Sequence, residues 1–410
     1  MKMWRAAYLL SLIAASAIAA DKAGCKDPAW APARLPGYEI IDCAEKAWIP
    51  VAFDVAGGSR TVQGRRSTVT YELKDESKNA SNETARRFYA ELGKKSGATL
   101  VSDPNGGWSA VLTRKTPQGE SWYSYTHGSG NDESTGSYTL TTLQVAPLVQ
   151  EVQVSAAPAA SEASPGTCKD PAWLVKQFAA FKLDRCDERD FDSVNLPLPD
   201  GEKAVAGRVI ENVYELTDER ANPAPYAVWK NYVSALQSIG AKLLTDPDDA
   251  NQAVLNRKTP QGEYWYWYRH GSGNEESTSS YSLVTLLSGG PPPRKCTLTV
   301  YGINFDFDQA TLRPDSMPVL EQVRALFAND PGYAAEIGGH TDNQGARDYN
   351  MKLSAKRADA VKAWLAGRGI AAGRITTAGY GDTRPLVPNT TDENKARNRR
   401  VELRRSGCRP

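Results

Sequence analysis

The chain has 410 residues, with 49 Lys and Arg against 48 Asp and Glu, and 40% hydrophobic residues. A formal charge of +1 argues against a protein whose role rests on strong global electrostatics, such as a highly basic nucleic-acid binder. The length implies two or three domains with ordinary cores.

Residues 1–20, MKMWRAAYLLSLIAASAIAA, place Lys2 and Arg5 before a short apolar run and then small residues. That is the layout of a secretory signal, with Ala17-Ile18-Ala19 as its cleavage box. The apolar run is shorter than the ~20 residues a membrane span needs. Cys25 follows closely, but Asp21 and Lys22 stand where a lipid-attachment box requires apolar side chains, so lipid attachment is not expected. No later segment is apolar enough to cross a bilayer as a helix. Six cysteines in an exported chain, at 25, 43, 168, 186, 296 and 408, predict disulfides.

The next 270 or so residues repeat themselves. CKDPAW at 25–30 returns at 168–173, KTPQGE at 115–120 returns at 258–263, and HGSGN at 127–131 returns at 270–274. Each offset is 143 residues, and so is that between Cys43 and Cys186. A duplication with one staple per copy predicts Cys25–Cys43 and Cys168–Cys186, leaving Cys296 and Cys408 to bracket a third domain. The expected organisation is a signal at 1–20, repeat one at 21–145, a mobile Ala/Ser/Pro linker at 146–166, repeat two at 167–287, a Pro-rich spacer at 288–295 and a last domain at 296–408.

Within each repeat, β-forming runs at 67–73 and 209–216 precede amphipathic helices at 82–97 and 226–240. Strands follow at 98–103 and 241–246, at 108–115 and 252–258, along the aromatic run, and at 138–143 and 281–287. Each copy is therefore an α+β unit with an antiparallel sheet. The copies bear a slight resemblance to uncharacterised modules fused to envelope-anchoring domains.

The run GEYWYWYRHGSGNEES at 262–277 alternates Tyr264, Tyr266 and Tyr268 with Trp265 and Trp267. Exposed, it would be a platform for sugar rings; covered on both faces, it is core material, the reading favoured here. His127 and His270 recur beside the acid pairs Asp132-Glu133 and Glu275-Glu276. One histidine per copy falls short of the three or four ligands a metal site needs, and neighbouring acids point apart. No nucleophile elbow, phosphate loop or Cys-x-x-Cys is present, so neither enzyme, metal nor cofactor is predicted.

In the last domain, TLTVYGINFDFD alternates like a strand, Pro314 opens a helix running to about 328, and YAAEIGGHTD is a strand ending in a turn. A helical region spans 347–366, and ITTAGYGDTRP and RRVELRR add two strands, with a polar, partly helical stretch at NTTDENKARN between them. The order is βαβαββ.

FDFD at 305–308, GHTDNQG at 339–345, N..LS..RA at 350–358, GYGDTRP at 379–385 and NRRVE at 398–402 together resemble the OmpA-like peptidoglycan-binding domain. The resemblance covers about a quarter of the chain. It implies a partner, the peptide stem of peptidoglycan, whose meso-diaminopimelate side chain ends in an ammonium and a carboxylate on one carbon. It further implies that Asp342 and Arg357 are the acid and arginine that meet this zwitterion, while Thr341, Asn350, Arg399, Phe305 and Asp306 line the pocket. The residue types match the ligand, since a carboxylate accepts from the ammonium and a guanidinium fork fits the carboxylate. Ser354 reads as an N-cap, which would set Arg357 about three residues into its helix, near amides that also favour an anion.

The resulting expectation is a non-enzymatic protein of the periplasm, wall-associated and peripheral to the outer membrane if it meets that membrane at all. The terminal run KARNRRVELRR is basic, but export argues against nucleic acid. Two other readings stay open: a sugar-binding protein or enzyme working from the aromatic strands, and an assembly factor whose repeats hold an outer-membrane or periplasmic protein.

Overall fold

A computed structural model of the chain describes residues 21–102, 108–117, 119–156, 169–218, 223–246, 249–274, 277–289, 295–306 and 308–408. The expected leader, linker residues 157–166, Cys168, Glu275, Glu276 and Phe307 lie outside the described residues. Two compact units divide at Leu148 and Val149. The fold is α+β throughout, and among the described residues no helix is long and apolar enough to cross a membrane.

In the first unit a long hairpin, β1 (Tyr38–Val55) and β2 (Gly58–Leu73), precedes α1 (Asn82–Lys95). Then come β3 (Thr99–Ser102), β4 (Ser109–Thr116), β5 (Gly119–Asn131) and β6 (Ser134–Val145). The sheet order is β1-β2-β6-β5-β4-β3, antiparallel throughout. Ser81 caps α1 by accepting from the Thr84 amide at 3.2 Å, and Ala85 and Tyr89 turn inward. Beneath the helix, Tyr71 and Tyr138 stack at 4.6 Å and the Tyr89 and Tyr138 hydroxyls meet at 2.5 Å.

The second copy repeats this arrangement. Its strands are β7 (Gln153–Val154), β8 (Leu174–Lys176), the hairpin β9 (Phe181–Leu198) and β10 (Gly201–Leu216), β11 (Lys242–Leu243), β12 (Gln252–Thr259), β13 (Gly262–His270), β14 (Gly273–Asn274), β15 (Ser277–Thr278) and β16 (Ser280–Ser288). Its helix is α2 (Pro225–Ser238). Tyr214, Tyr232, Tyr268 and Tyr281 take the places of Tyr71, Tyr89, Tyr125 and Tyr138, with the Tyr232 and Tyr281 hydroxyls 2.6 Å apart.

The duplicated CKDPAW motif explains itself in this core. Asp27 accepts from Tyr71 and Asp170 from Tyr214, both at 2.8 Å. Trp30 donates to Thr142 at 2.9 Å and Trp173 to Thr285 at 2.8 Å. The motif lids the tyrosine cluster. Cys25–Cys43 staples the first copy; Cys186 is disulfide-bonded too, although its expected partner Cys168 is not described.

The linker expected from 146 onward is not mobile chain throughout. Val152 is buried against α2, Asn231 Oδ1 accepts from the Glu151 amide at 2.7 Å, and β7 pairs with β8. Val152 and Val154, two apart in VQEVQV, supply an apolar face that composition alone understates.

The aromatic run is mostly core. Trp265, Tyr266 and Tyr268 are buried, while Tyr264 and Trp267 are half-buried. Tyr266 and Tyr268 face α2 and Trp265 packs with Leu196, Val205 and Val254 in a separate cluster, so both faces of the strand are covered. His127 is buried against Trp108, and burial lowers the pKa of His270. Among the described residues no His, Cys, Asp and Glu cluster could hold a metal.

The last domain comprises β17 (Thr297–Val300), α3 (Met317–Asn329), β18 (Ala335–His340), α4 (Arg347–Ala366), β19 (Ile375–Gly381), α5 (Asp392–Asn398) and β20 (Val401–Arg405). This is the expected βαβαββ order with a short helix at the polar stretch. Cys296–Cys408 joins its two ends.

This domain does not stand apart from the second repeat. Val300 pairs with Phe191 of β9, so one sheet runs β11-β12-β13-β16-β10-β9-β17-β20-β18-β19. Phe191 and Ala206 join Val300, Val319 and Val323 in one core. Lys295 binds Asp190 at 2.9 Å, and Arg397 binds Asp187 at 3.0 Å.

Candidate functional site

Two glycine-bearing strands set the site by letting α4 approach closely. A Cβ on Gly339 would lie 2.2 Å from the Ser354 carbonyl oxygen, and one on Gly379 2.5 Å from the Ala355 amide. Buried Ser354 strengthens the contact: its Oγ donates to the Met351 carbonyl and accepts from the Gly381 amide, both at 2.9 Å. This corrects the reading of Ser354 as an N-cap. The helix begins at Arg347 with Ala346 as its cap, so Arg357 lies about three turns in and the first-turn amides do not attend it.

Asp342 follows β18 in a turn that it ties itself. Its Oδ1 accepts from the Gln344 amide at 3.0 Å, and Asn350 Nδ2 donates to the Gln344 carbonyl at 3.0 Å. Asn350 thus has a structural role, cinching the loop ahead of α4. Oδ2 of Asp342 accepts from Arg399 Nη1 at 2.7 Å. The acid therefore pairs with Arg399, not with Arg357, and its remaining lone pairs can still accept.

Arg357 is held from the FDFD turn. Its Nε donates to the Gln309 carbonyl at 3.0 Å, and its guanidinium lies 4.9 Å from the Phe305 ring centroid. The turn is closed by Asp306, which donates its amide to the Thr311 carbonyl and accepts from the Gln309 amide. Asp308, the only non-glycine residue at positive φ among those described, accepts from the Tyr349 hydroxyl. Burial pushes the Arg357 pKa down from its ordinary value. Among the described residues nothing else binds its two terminal nitrogens, which leaves a fork for an anion.

Asp342, Arg357, Thr341, Asn350, Arg399, Phe305 and Asp306 all line one cleft of about 1080 Å³. Thr341 is buried, and among the described residues its Oγ1 has no hydrogen-bond partner. His340, also buried, stacks on Tyr380 and approaches Glu402 at 3.4 Å. Burial raises the Glu402 pKa, but the nearby His340 and the charge and hydrogen bonds of Arg400 outweigh it and bring the carboxyl to about 2. What sequence reading missed is the opposite wall, formed by Asp187, Arg189, Asp192, Ser193 and Glu211 of the second repeat.

The OmpA family pattern matches residues 304–399. Outer membrane porin F of Pseudomonas fluorescens is 43% identical over 100 residues, covering 24% of this chain and 31% of that relative. Peptidoglycan-binding protein ArfA of Mycobacterium tuberculosis is 36% identical over 122 residues, covering 30% of this chain and 34% of the relative. The chain thus spans about a third of each. The crystal structure of the peptidoglycan-associated lipoprotein from Burkholderia pseudomallei aligns at 27% identity over 27% of this chain and 90% of that one, with a TM-score of 0.24. Outer membrane protein A of Bordetella avium is 44% identical over 174 residues, covering 38% of this chain and 87% of the relative. Through its C-terminal domain, the chain belongs to the OmpA family.

Proposed function

We propose that this is a non-enzymatic protein of the periplasm that binds the peptide stem of peptidoglycan through its C-terminal domain, with diaminopimelate as the recognised residue. The observation that carries the reading is that Asp342 and Arg357 line one cleft while making no ion pair with each other. A fixed anion and a fixed cation with open valences suit a terminus bearing both charges on one carbon. Charge-assisted hydrogen bonds worth ~1.5–3 kcal/mol each support reversible, roughly micromolar attachment. The mycobacterial relative ArfA, named as a peptidoglycan-binding protein, supports this reading.

The rival reading, a sugar-binding protein or enzyme working from the aromatic strand of each repeat, loses its motivating feature where Trp265, Tyr266 and Tyr268 are buried. The test is co-sedimentation with purified sacculi. Asp342→Ala and Arg357→Ala are each expected to abolish retention with an unchanged circular dichroism spectrum. Undiminished retention of both would remove the site.

A further inference from the structure

The cleft has walls of two origins. Thr341, Asp342 and Arg357 stand on the C-terminal domain, and Asp187, Arg189, Asp192, Ser193 and Glu211 stand on the β9–β10 hairpin of the second repeat. The hairpin wall is charged and braced. Arg189 donates to Asp192 at 2.5 Å and to Glu211 Oε2 at 3.2 Å and lies 3.2 Å from Asp187 Oδ2, Arg269 donates to Glu211 Oε1, and Arg397 from α5 donates to Asp187 Oδ1 at 3.0 Å, so each carboxylate is held in place with lone pairs left to accept from a ligand. Hydrogen bonds fix its place relative to the first wall: the Tyr301 amide donates to the Phe191 carbonyl at 2.7 Å, and the Thr299 amide to the Asp190 carboxylate at 3.1 Å.

Size is the second consideration. A cleft of about 1080 Å³ slightly exceeds the ~300–1,000 Å³ range that encloses drug-sized ligands, so the charged end of one amino acid occupies only part of it. On the first wall the buried Thr341 Oγ1, without a hydrogen-bond partner among the described residues, adds an unsatisfied polar group to the lining, which a polar ligand can pair.

We propose that the second repeat is part of the receptor. Asp187 and Glu211, oriented by Arg189, accept from backbone amides of the stem peptide leading to the diaminopimelate terminus, and Arg397 receives a free carboxylate of that stem. The inference rests on the function proposed above and extends it. The C-terminal domain holds the terminus, and the hairpin reads the peptide attached to it.

The test is calorimetry on the full chain with two probes, free meso-diaminopimelate and the soluble stem tripeptide L-alanyl-γ-D-glutamyl-meso-diaminopimelate. The wild type is expected to prefer the tripeptide. Asp187→Asn and Glu211→Gln are each expected to reduce that preference about tenfold, the worth of one charge-assisted hydrogen bond, with free diaminopimelate binding unchanged. A preference equal to that of the wild type in both variants would overturn the proposal, as would a wild type that binds the two probes equally. Should Asp187→Asn lose both probes through misfolding, Glu211→Gln, which keeps the Asp187–Arg397 pair, decides. A wild type that binds neither probe removes the proposed function itself, and this extension with it.

Discussion

Arg399 Nη1 donates to Asp342 Oδ2 across 2.7 Å, joining residues 57 positions apart in the chain. The pair fixes the orientation of a carboxylate whose other oxygen is already held by the Gln344 amide. Arg399 is therefore a positioning group for the acid. Arg399→Ala is expected to weaken sacculus binding about tenfold, where Asp342→Ala abolishes it. Equal retention of Arg399→Ala and the wild type in co-sedimentation would show that the pair is incidental.

Glu402 supplies a pH signature. Its folded pKa of about 2 lies below the ordinary 4.5, so its stabilising contribution is complete above about 4.5 and is lost as pH falls towards 2. Urea denaturation between pH 5 and 2.5 is expected to show a decline that Glu402→Gln makes shallower. Parallel slopes for the two proteins would place the acid sensitivity elsewhere.

Gly339 tests the approach of α4 to the sheet. Because an added Cβ would meet the Ser354 carbonyl at 2.2 Å, Gly339→Ala is expected to cost about 1–3 kcal/mol in denaturant unfolding. Gly373→Ala, where among the described residues nothing lies within 4 Å, is the control and should change little. Similar stabilities for the two variants would mean that the helix can retreat without penalty.

The disulfides differ in what they constrain. Cys296–Cys408 spans a separation of 112 residues, against 18 for Cys25–Cys43, and the longer loop restricts the unfolded chain more. Replacing Cys296 and Cys408 together by Ala is expected to cost about 4 kcal/mol. Non-reducing peptide mapping is expected to recover a Cys168–Cys186 peptide beside these two pairs; free thiol at Cys186 would break the parallel between the copies.

Much of the architecture was legible because the chain states it twice. The tyrosines at 71, 89, 125 and 138 recur at 214, 232, 268 and 281, and in both copies they make the same hydroxyl pair under the helix. The bounds of α4 were legible as well, since no glycine or proline interrupts 347–366. Ser354 misled because a serine before a charged run resembles a cap, whereas here its hydroxyl bonds across to β19. The long hairpins escaped notice: at 38–55 and 181–198, charged and apolar residues mix without clean alternation along strands that carry bulges. The partnership of Asp342 with Arg399 left no local trace, because tertiary folding alone unites them. Nor did the Val300–Phe191 pairing, a single parallel bridge between segments that each read as belonging to a separate domain.

That bridge has a mechanical consequence. A hinge at the proline-rich stretch would let the second repeat swing freely while the last domain stayed docked. With Phe191 buried beside Val300 and Lys295 clamped to Asp190, such a swing must first shear backbone hydrogen bonds and open an apolar seam. If the last domain is docked on a wall as proposed, a pull on it therefore reaches the second repeat as torque on a stiff lever, not as slack taken up along a flexible spacer.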